Sequence, residues 1–190
     1  MAAVSRRARS EREILSAAAR TLADRPTAGM GEIASAAGIA RGTLYRYFPT
    51  RESLLQALEA AADEEARQRL EEANLDQVPV DEGLARATRA LVAVGEHFIV
   101  LLRERRPPEP GFTAVLAALL LRGQSGGQVR ADVPVDVLVE SLLVLVGVCV
   151  RAGRGAGTGS EDISSIALRL FLDGARRPPS DPALEGEVGD

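Results

Sequence analysis

The sequence predicts an all-α protein, with a small N-terminal domain of three helices and a larger C-terminal helical bundle. Apolar residues recur at steps of three and four along most of the chain, which is the period of an α-helix. Clusters of proline and glycine separate these periodic stretches. The valine-rich segment 135–150 would also suit a buried strand, but no second strand is predicted that could pair with it. We therefore predict helices throughout.

The first helix is predicted from about residue 11 to residue 23. Ser10 is a suitable N-cap, and the acids that follow it favour the positive end of the helix dipole. An apolar stripe runs from Ile14 to Leu22. Residues 1–10 carry three arginines and are expected to form a short mobile arm, either a solvated tail or a contact to DNA.

Two short helices joined by a tight turn are predicted next. Gly38 suits the left-handed position that ends the first of them. The second runs from about Arg41 to Phe48 and ends at Pro49. Its arginines and Tyr45 do not fit the apolar face, so they are available to a partner. A short helix that packs on a turn and carries such side chains outward has the layout of a helix-turn-helix DNA reader.

The segment IASAAGIARGTLYRYFPTRESLL, within residues 33–55, resembles the signature of the TetR family of bacterial transcriptional regulators. The match is densest at GTLY, YFP, RE and LL, and the strong resemblance covers about residues 11–60. It implies a helix-turn-helix domain at 9–60 with a recognition helix at about 41–48. It also implies a ligand-binding and dimerisation domain at 61–176, while the proline-bearing segment 177–190 is expected to be a disordered tail.

The resemblance also places side chains at the DNA, namely Arg41, Gly42, Thr43, Tyr45, Arg46, Tyr47 and Arg51. Tyr47 and Phe48 fit a helical core as well as they fit a DNA contact, because both share the apolar face. The sequence departs from the family pattern before the second helix, where the family places a serine or threonine on a phosphate. Here those positions hold Ala28, Gly29 and Gly31, and Thr27 is the candidate for a substitute cap one register early.

Five further helices are predicted, at about 51–74, 82–105, 112–122, 135–150 and 161–174. Thr50, Asp81 and Ser160 are suitable N-caps, and Gly174 is a suitable stop. The glycine-rich stretch 151–161 is predicted to be a mobile loop. The segment 135–150 is too short and carries too many acids for a membrane span, so it reads as a buried helix.

Net charge is -4, yet the charge is unevenly distributed. Residues 1–51 contain nine arginines and four acids, whereas the rest of the chain is acidic. A basic N-terminal module on an acidic body is typical of a modular DNA-binding protein. All the basic residues are arginine, which with the many alanines, glycines and valines indicates a GC-rich genome.

The sequence favours no enzyme and no bound metal or cofactor. There is one cysteine and one histidine, so neither an intrachain disulfide nor a Cys/His zinc cluster can form. His97 is expected to be a satisfied core or pocket residue rather than a base, and Cys149 an inert packed thiol. There is no phosphate-binding GxxxxGK[ST] motif. We expect a cytoplasmic protein without membrane association.

The resemblance implies a homodimer on double-stranded operator DNA and a small-molecule effector. The dimer would form through the last two helices, with Ile163, Ile166, Ala167, Leu170 and Phe171 in the interface. The effector pocket would be lined by Leu91, Val94, His97, Phe98, Leu101, Phe112, Leu116, Leu119, Leu142, Val146 and Cys149. The expected function is a repressor that a small apolar ligand releases from its operator. The alternative is a constitutive or architectural DNA-binding dimer without a ligand.

Overall fold

The computed structural model describes residues 2–95, 100 and 110–176, and side chains within these ranges except those of residues 2–8, 110 and 112. Eight α-helices lie in this part of the chain: α1 (Ala2–Asp24), α2 (Met30–Ala36), α3 (Arg41–Tyr47), α4 (Arg51–Glu72), α5 (Val80–Ala93), α6 (Pro110–Ser125), α7 (Val135–Ala156) and α8 (Ser160–Ala175). A 3₁₀ turn at Leu75–Gln77 joins α4 to α5. Across the described ranges the β pairing is limited to one isolated bridge, Val129 to Arg176. The all-α prediction is confirmed.

The first helix is longer than predicted. It begins at Ala2, so the predicted mobile arm is helical and Ser10 lies inside the helix rather than at its cap. Alanine and arginine are among the best helix formers, and the chain has no glycine or proline before Pro26. The basic segment therefore continues the helix instead of preceding it.

Helices α1 to α3 and the start of α4 share one apolar core. Its centre is formed by side chains with almost no exposure to solvent: Leu22, Ile33, Leu44, Leu54 and Leu58. Thr50 caps α4 as predicted, with its Oγ1 accepting a hydrogen bond from the Ser53 backbone amide at 3.0 Å. The Ser53 hydroxyl in turn accepts one from the Thr50 amide at 3.1 Å. This reciprocal cap fixes where α4 begins after the end of α3.

In the C-terminal domain, the predicted boundaries of α5 and α6 differ from those of the structure. The cap of α5 is Pro79 rather than Asp81, and α5 ends at Ala93 rather than near residue 105. Gly95 then lies against Val150, with room for no side chain, since an added Cβ would come within 2.6 Å of a valine methyl. Residues 96–99 and 101–109 lie outside the described part of the chain. Helix α6 begins at Pro110 and reaches Ser125, slightly longer than predicted at both ends.

The predicted glycine-rich loop is also wrong over most of its length. Helix α7 continues through residues 151–156, and the left-handed Gly157 ends it with φ +67°. Gly153 explains part of this extension: an added Cβ would come 2.5 Å from Ile163, so glycine lets α7 and α8 pack closely. Tertiary packing has overridden the low helix propensity of glycine. Helix α8 has Gly159 at its N-cap rather than Ser160, and it passes Gly174 to end at Ala175.

Arginine side chains hold the two ends of α4. At the C-terminal end, Arg122 of α6 donates hydrogen bonds to the carbonyls of Leu75, Asp76 and Val78 at 2.8 to 3.2 Å. At the N-terminal end, Arg51 donates to the carbonyls of residues 26 and 28 in the turn between α1 and α2. Arginine hydrogen bonds therefore fix the N-terminal end of α4 in one domain and its C-terminal end in the other.

The two domains also touch directly. The Arg154 guanidinium, near the end of α7, lies 2.9 Å from the Asp24 carboxylate at the end of α1. None of the helices in the described residues has the length and hydropathy needed to cross a membrane.

Candidate nucleic-acid interface

The turn between α2 and α3 has the geometry that Gly38 predicted. Gly38 has φ +67°, and its amide donates to the Ser35 carbonyl at 3.0 Å. The Ile39 amide donates to the Ala34 carbonyl, also at 3.0 Å. This pair of bonds is the Schellman motif, which ends α2 and turns the chain into α3 within four residues. The prediction for Gly38 is confirmed.

Helix α3 is held by one face. Leu44 and Phe48 are buried, and the rings of Phe48 and Tyr47 lie 6.2 Å apart between centroids. Tyr45 and Tyr47 are half-buried and pack against the core. Part of each tyrosine ring is therefore buried in the core. For Tyr47 this agrees with the prediction that its ring fits a helical core as well as a DNA contact. Each phenol ring supports the helix whatever its hydroxyl contacts.

The opposite face of α3 is open. Arg41, Gly42 and Arg46 are exposed, and Thr43 is half-buried. The Arg41 guanidinium lies over the Tyr45 ring, 5.4 Å from its centroid, and donates to the Tyr45 hydroxyl at 3.3 Å. This stacking contact restricts the Arg41 side chain before any partner arrives. Exposed guanidinium groups such as these two are suited to bind phosphates and the acceptor atoms of guanine.

Gly42 is open to solvent. A Cβ added there would meet nothing within 4 Å, so the fold of the protomer does not require glycine at this position. A partner that approaches the α3 backbone closely would require it. Gly42 lies between the two exposed arginines of the helix, and its DNA contact stays a prediction.

Arg51 differs from the expected picture. Its guanidinium is half-buried, with one N–H donating to the Ala28 carbonyl at 2.7 Å and another to the Pro26 carbonyl at 2.9 Å. These bonds satisfy the turn before α2 and position it against α4. The DNA contact of Arg51 stays a prediction, and its observed contacts are internal.

The start of α2 also differs from the sequence interpretation. Its N-cap is Gly29, so Thr27 is not a substitute cap. Glu32 closes this end with its own side chain, since its Oε2 accepts from the Gly29 amide at 2.9 Å. Its Oε1 lies 2.6 Å from the Arg25 guanidinium. The sequence analysis assigned no role to Arg25 or Glu32. The signal for Glu32 was its position, three residues after the cap residue Gly29.

Comparisons with known proteins agree with this geometry. Residues 14–58 match the family model described as bacterial regulatory proteins, tetR family. The transcriptional regulator NfxB of Pseudomonas aeruginosa is 29% identical over 178 residues, which cover 88% of this chain and 95% of NfxB. The chain is a TetR-family transcriptional regulator.

Two further comparisons place this TetR-family chain among its relatives. The transcriptional repressor LfrR of Mycolicibacterium smegmatis is 42% identical over 89 residues, 47% of each protein. The crystal structure of LfrR in complex with proflavine superposes with a TM-score of 0.72 at 27% identity, covering 90% of this chain and 99% of LfrR. The likeness thus extends over both domains of the TetR-family fold.

The predicted pocket residues of this TetR-family regulator lie mostly in the core. Leu91, Val94, Leu116, Leu119, Leu142 and Val146 are buried, and Cys149 is half-buried. Burial raises the pKa of the Cys149 thiol above its usual value, so the neutral thiol predominates. His97, Phe98, Leu101 and the Phe112 side chain lie outside the described residues.

Within the described part of the chain, two cavities include residues of this set. Leu119 lines a cavity of about 520 Å³ between α4 and α6, and Val94 lines a groove of about 1100 Å³ between α1 and α4. The pocket assignment itself stays a prediction.

The predicted interface residues divide into two groups. Ile163, Ala167 and Phe171 are buried inside the protomer, where they pack α8 on its neighbours. Ile166 and Leu170 are 40% and 52% exposed, one helical turn apart. Val137, Val144 and Val148 of α7 are similarly exposed at helical spacing. We call these five residues the α7/α8 apolar face.

Proposed function

We propose that this regulator is a dimeric repressor that leaves its operator when a small, largely apolar molecule binds its C-terminal domain. In this proposal residues 9–60 read DNA, and residues 61–176 dimerise and bind the effector. The observation that carries the proposal is the open face of α3, on which Arg41 and Arg46 flank an unhindered Gly42. A basic helix face of this kind suits the major groove of double-stranded DNA.

Arg46 is the residue proposed to read sequence. Its guanidinium is exposed and can donate two parallel hydrogen bonds to O6 and N7 of guanine. Replacing Arg46 with alanine should cost about 1–3 kcal/mol of binding free energy and relax the sequence preference. The measurement is binding to an operator selected from random duplexes and to a scrambled duplex of the same composition. An equal loss on both duplexes would make Arg46 a phosphate contact instead.

Dimerisation is proposed through the α7/α8 apolar face. Isolated exposed apolar side chains are common on monomers, but five at helical spacing on two helices that pack together suit a subunit interface. A two-fold dimer would present two α3 helices to successive major grooves, about 34 Å apart along the DNA. The operator is then expected to be palindrome-like.

The effector is proposed to act next to α4. The cavity between α4 and α6 is within the size range of small-molecule sites, and its walls are mainly apolar. Leu70 and Leu75 of its wall flank the C-terminal end of α4, while Leu119 lies on α6. A molecule bound here would separate the two helices. Since LfrR has been crystallised with proflavine, proflavine is the first compound to test.

The decisive experiment measures how operator binding changes the affinity for the effector. An effector can shift the protein only if it binds the DNA-incompetent state more tightly, and the coupling must be reciprocal. We expect proflavine to bind the full-length protein more weakly when operator DNA is saturating, by roughly 5–150-fold. The variant Ala118→Trp, which fills the cavity from the exposed side of α6, should keep operator binding and lose the response.

Two results would redirect the proposal. If Ala118→Trp responds as wild type does, the effector site lies in the interior of the bundle, where the sequence predicted it. If proflavine binds the protein with an affinity that saturating operator does not change, the two sites are uncoupled. The protein would then act as a constitutive DNA-binding dimer toward this compound.

A further inference from the structure

The turn between α1 and α2 carries an arrangement that neither the family pattern nor the recognition helix explains. Arg25 lies in this turn with 61% of its side chain exposed, and its guanidinium lies 2.6 Å from Glu32. Glu32 stands in the first turn of α2 and also accepts from the Gly29 amide. One carboxylate therefore serves as a helix cap and as the partner of an arginine.

This arrangement changes what the start of α2 offers to DNA. In a helix-turn-helix domain the first of the two helices crosses the phosphate backbone. Here the Gly29 amide is already bonded to a carboxylate, whose negative charge repels a phosphate. Ala28 supplies no hydroxyl, and the guanidinium of Arg51 donates to carbonyls of the same turn. Arg25, in contrast, is exposed in this turn.

We propose that Arg25 is a contact to the DNA phosphate backbone and that Glu32 holds its guanidinium in place for that contact. A guanidinium has five N–H donors in a planar fork, so one can remain on Glu32 while others reach a phosphate oxygen. Two other charged side chains lie at this turn: Asp24, which is 2.9 Å from Arg154, and Arg51, which donates to the Pro26 carbonyl. The proposal rests on DNA binding by this domain and adds a backbone contact to it.

The test is the salt dependence of DNA binding by the full-length protein. Each phosphate contact on duplex DNA contributes about 0.9 to the slope of log K against log salt concentration. Arg25→Gln should reduce that slope by about 0.9 for each protomer and weaken binding about eightfold per protomer at 0.1 M salt. The loss should be equal on the selected operator and on a scrambled duplex, because phosphates carry no sequence information.

Arg20→Gln is the matched control. Arg20 is also exposed near the end of α1, but its guanidinium donates to the Ser16 side chain at 2.7 Å, on the helix itself. We expect this variant to keep the wild-type slope. Arg25→Lys keeps the charge and should restore most of the slope even if it weakens the pairing with Glu32. Glu32→Gln removes the ionic partner that holds the Arg25 guanidinium in place, so it should weaken binding to both duplexes, by less than Arg25→Gln does.

The proposal is overturned if Arg25→Gln binds more weakly with an unchanged salt slope, since that result indicates a structural role in the turn. It is also overturned if Arg20→Gln lowers the slope equally, because the effect is then one of net charge. Failure of the wild-type protein to select any DNA sequence would instead reject the proposed function. The two failures are therefore distinguishable.

Discussion

The α7/α8 apolar face allows the proposed dimer to be tested with one substitution, Leu170→Asp. Leu170 is 52% exposed in the protomer. Complete burial of a leucine side chain contributes about 1.5–3 kcal/mol, so covering the exposed half contributes about 1 kcal/mol in each protomer. A carboxylate there adds a desolvation cost of several kcal/mol unless it finds a partner. The sum is at least about 4 kcal/mol, which raises the dissociation constant about a thousandfold.

Sedimentation velocity at about 10 μM protein would show the change, because a thousandfold weaker dimer with an initial Kd near 1 μM becomes monomeric. Leu121→Asp is the matched control. Leu121 is 48% exposed but lies on α6, which contributes no residue to the α7/α8 apolar face, and we expect this variant to remain dimeric. Wild-type monomers at this concentration, or a Leu170→Asp variant that stays dimeric, would refute the reasoning. Phe171 is unsuitable for this test, because it is buried within the protomer and a charge there would disrupt folding.

Three further outcomes are expected. Thr50→Ala removes the cap of α4 and should lower the free energy of unfolding by about 1 kcal/mol in urea titrations, whereas Thr50→Ser should not. Arg122→Met leaves three carbonyls of the turn after α4 without their donor and should cost about 2–3 kcal/mol, with an unchanged m-value. The hydrogen bond from Arg130 lowers the pKa of Asp132 below 3.8, so its stabilising effect is complete above that value and is lost as pH falls through the folded-state pKa. Comparing the acid unfolding of wild type and Asp132→Asn checks this, and identical pH profiles would contradict it.

The sequence was most informative where a residue has a single physical reason to be present. Gly38 suits a left-handed turn and Thr50 a helix cap, and both lie in the predicted conformations. The helix-turn-helix domain follows from such local rules. The exposed arginines on α3 follow from the same periodicity, since they fall off the apolar face.

The features that the sequence did not predict depend on contacts distant in sequence. Gly153 lies in α7, where Ile163 packs closely against it, and no local rule connects these two positions. The resemblance placed Arg51 at DNA, and that contact stays a prediction; the hydrogen bonds from its guanidinium to carbonyls more than twenty residues earlier in the chain follow from no local rule. The five residues predicted for the dimer interface all lie on α8, but their division into three buried and two exposed side chains required the position of α7. Periodicity identifies an apolar face and does not identify what covers it.

The length of α4 makes it a lever. Its 22 residues rise by about 1.5 Å each, so the helix is about 33 Å long. With its C-terminal end as the pivot, a tilt of about 5° moves its N-terminal end by about 3 Å, the length of a hydrogen bond. The ion pairs of Arg67 with Glu64 and Glu71 brace its exposed surface. A small displacement of α4 at the cavity, which leaves the core undisturbed, would therefore move α3 by about the length of a hydrogen bond. A shift of this size is large enough to break the base contacts that are proposed for α3.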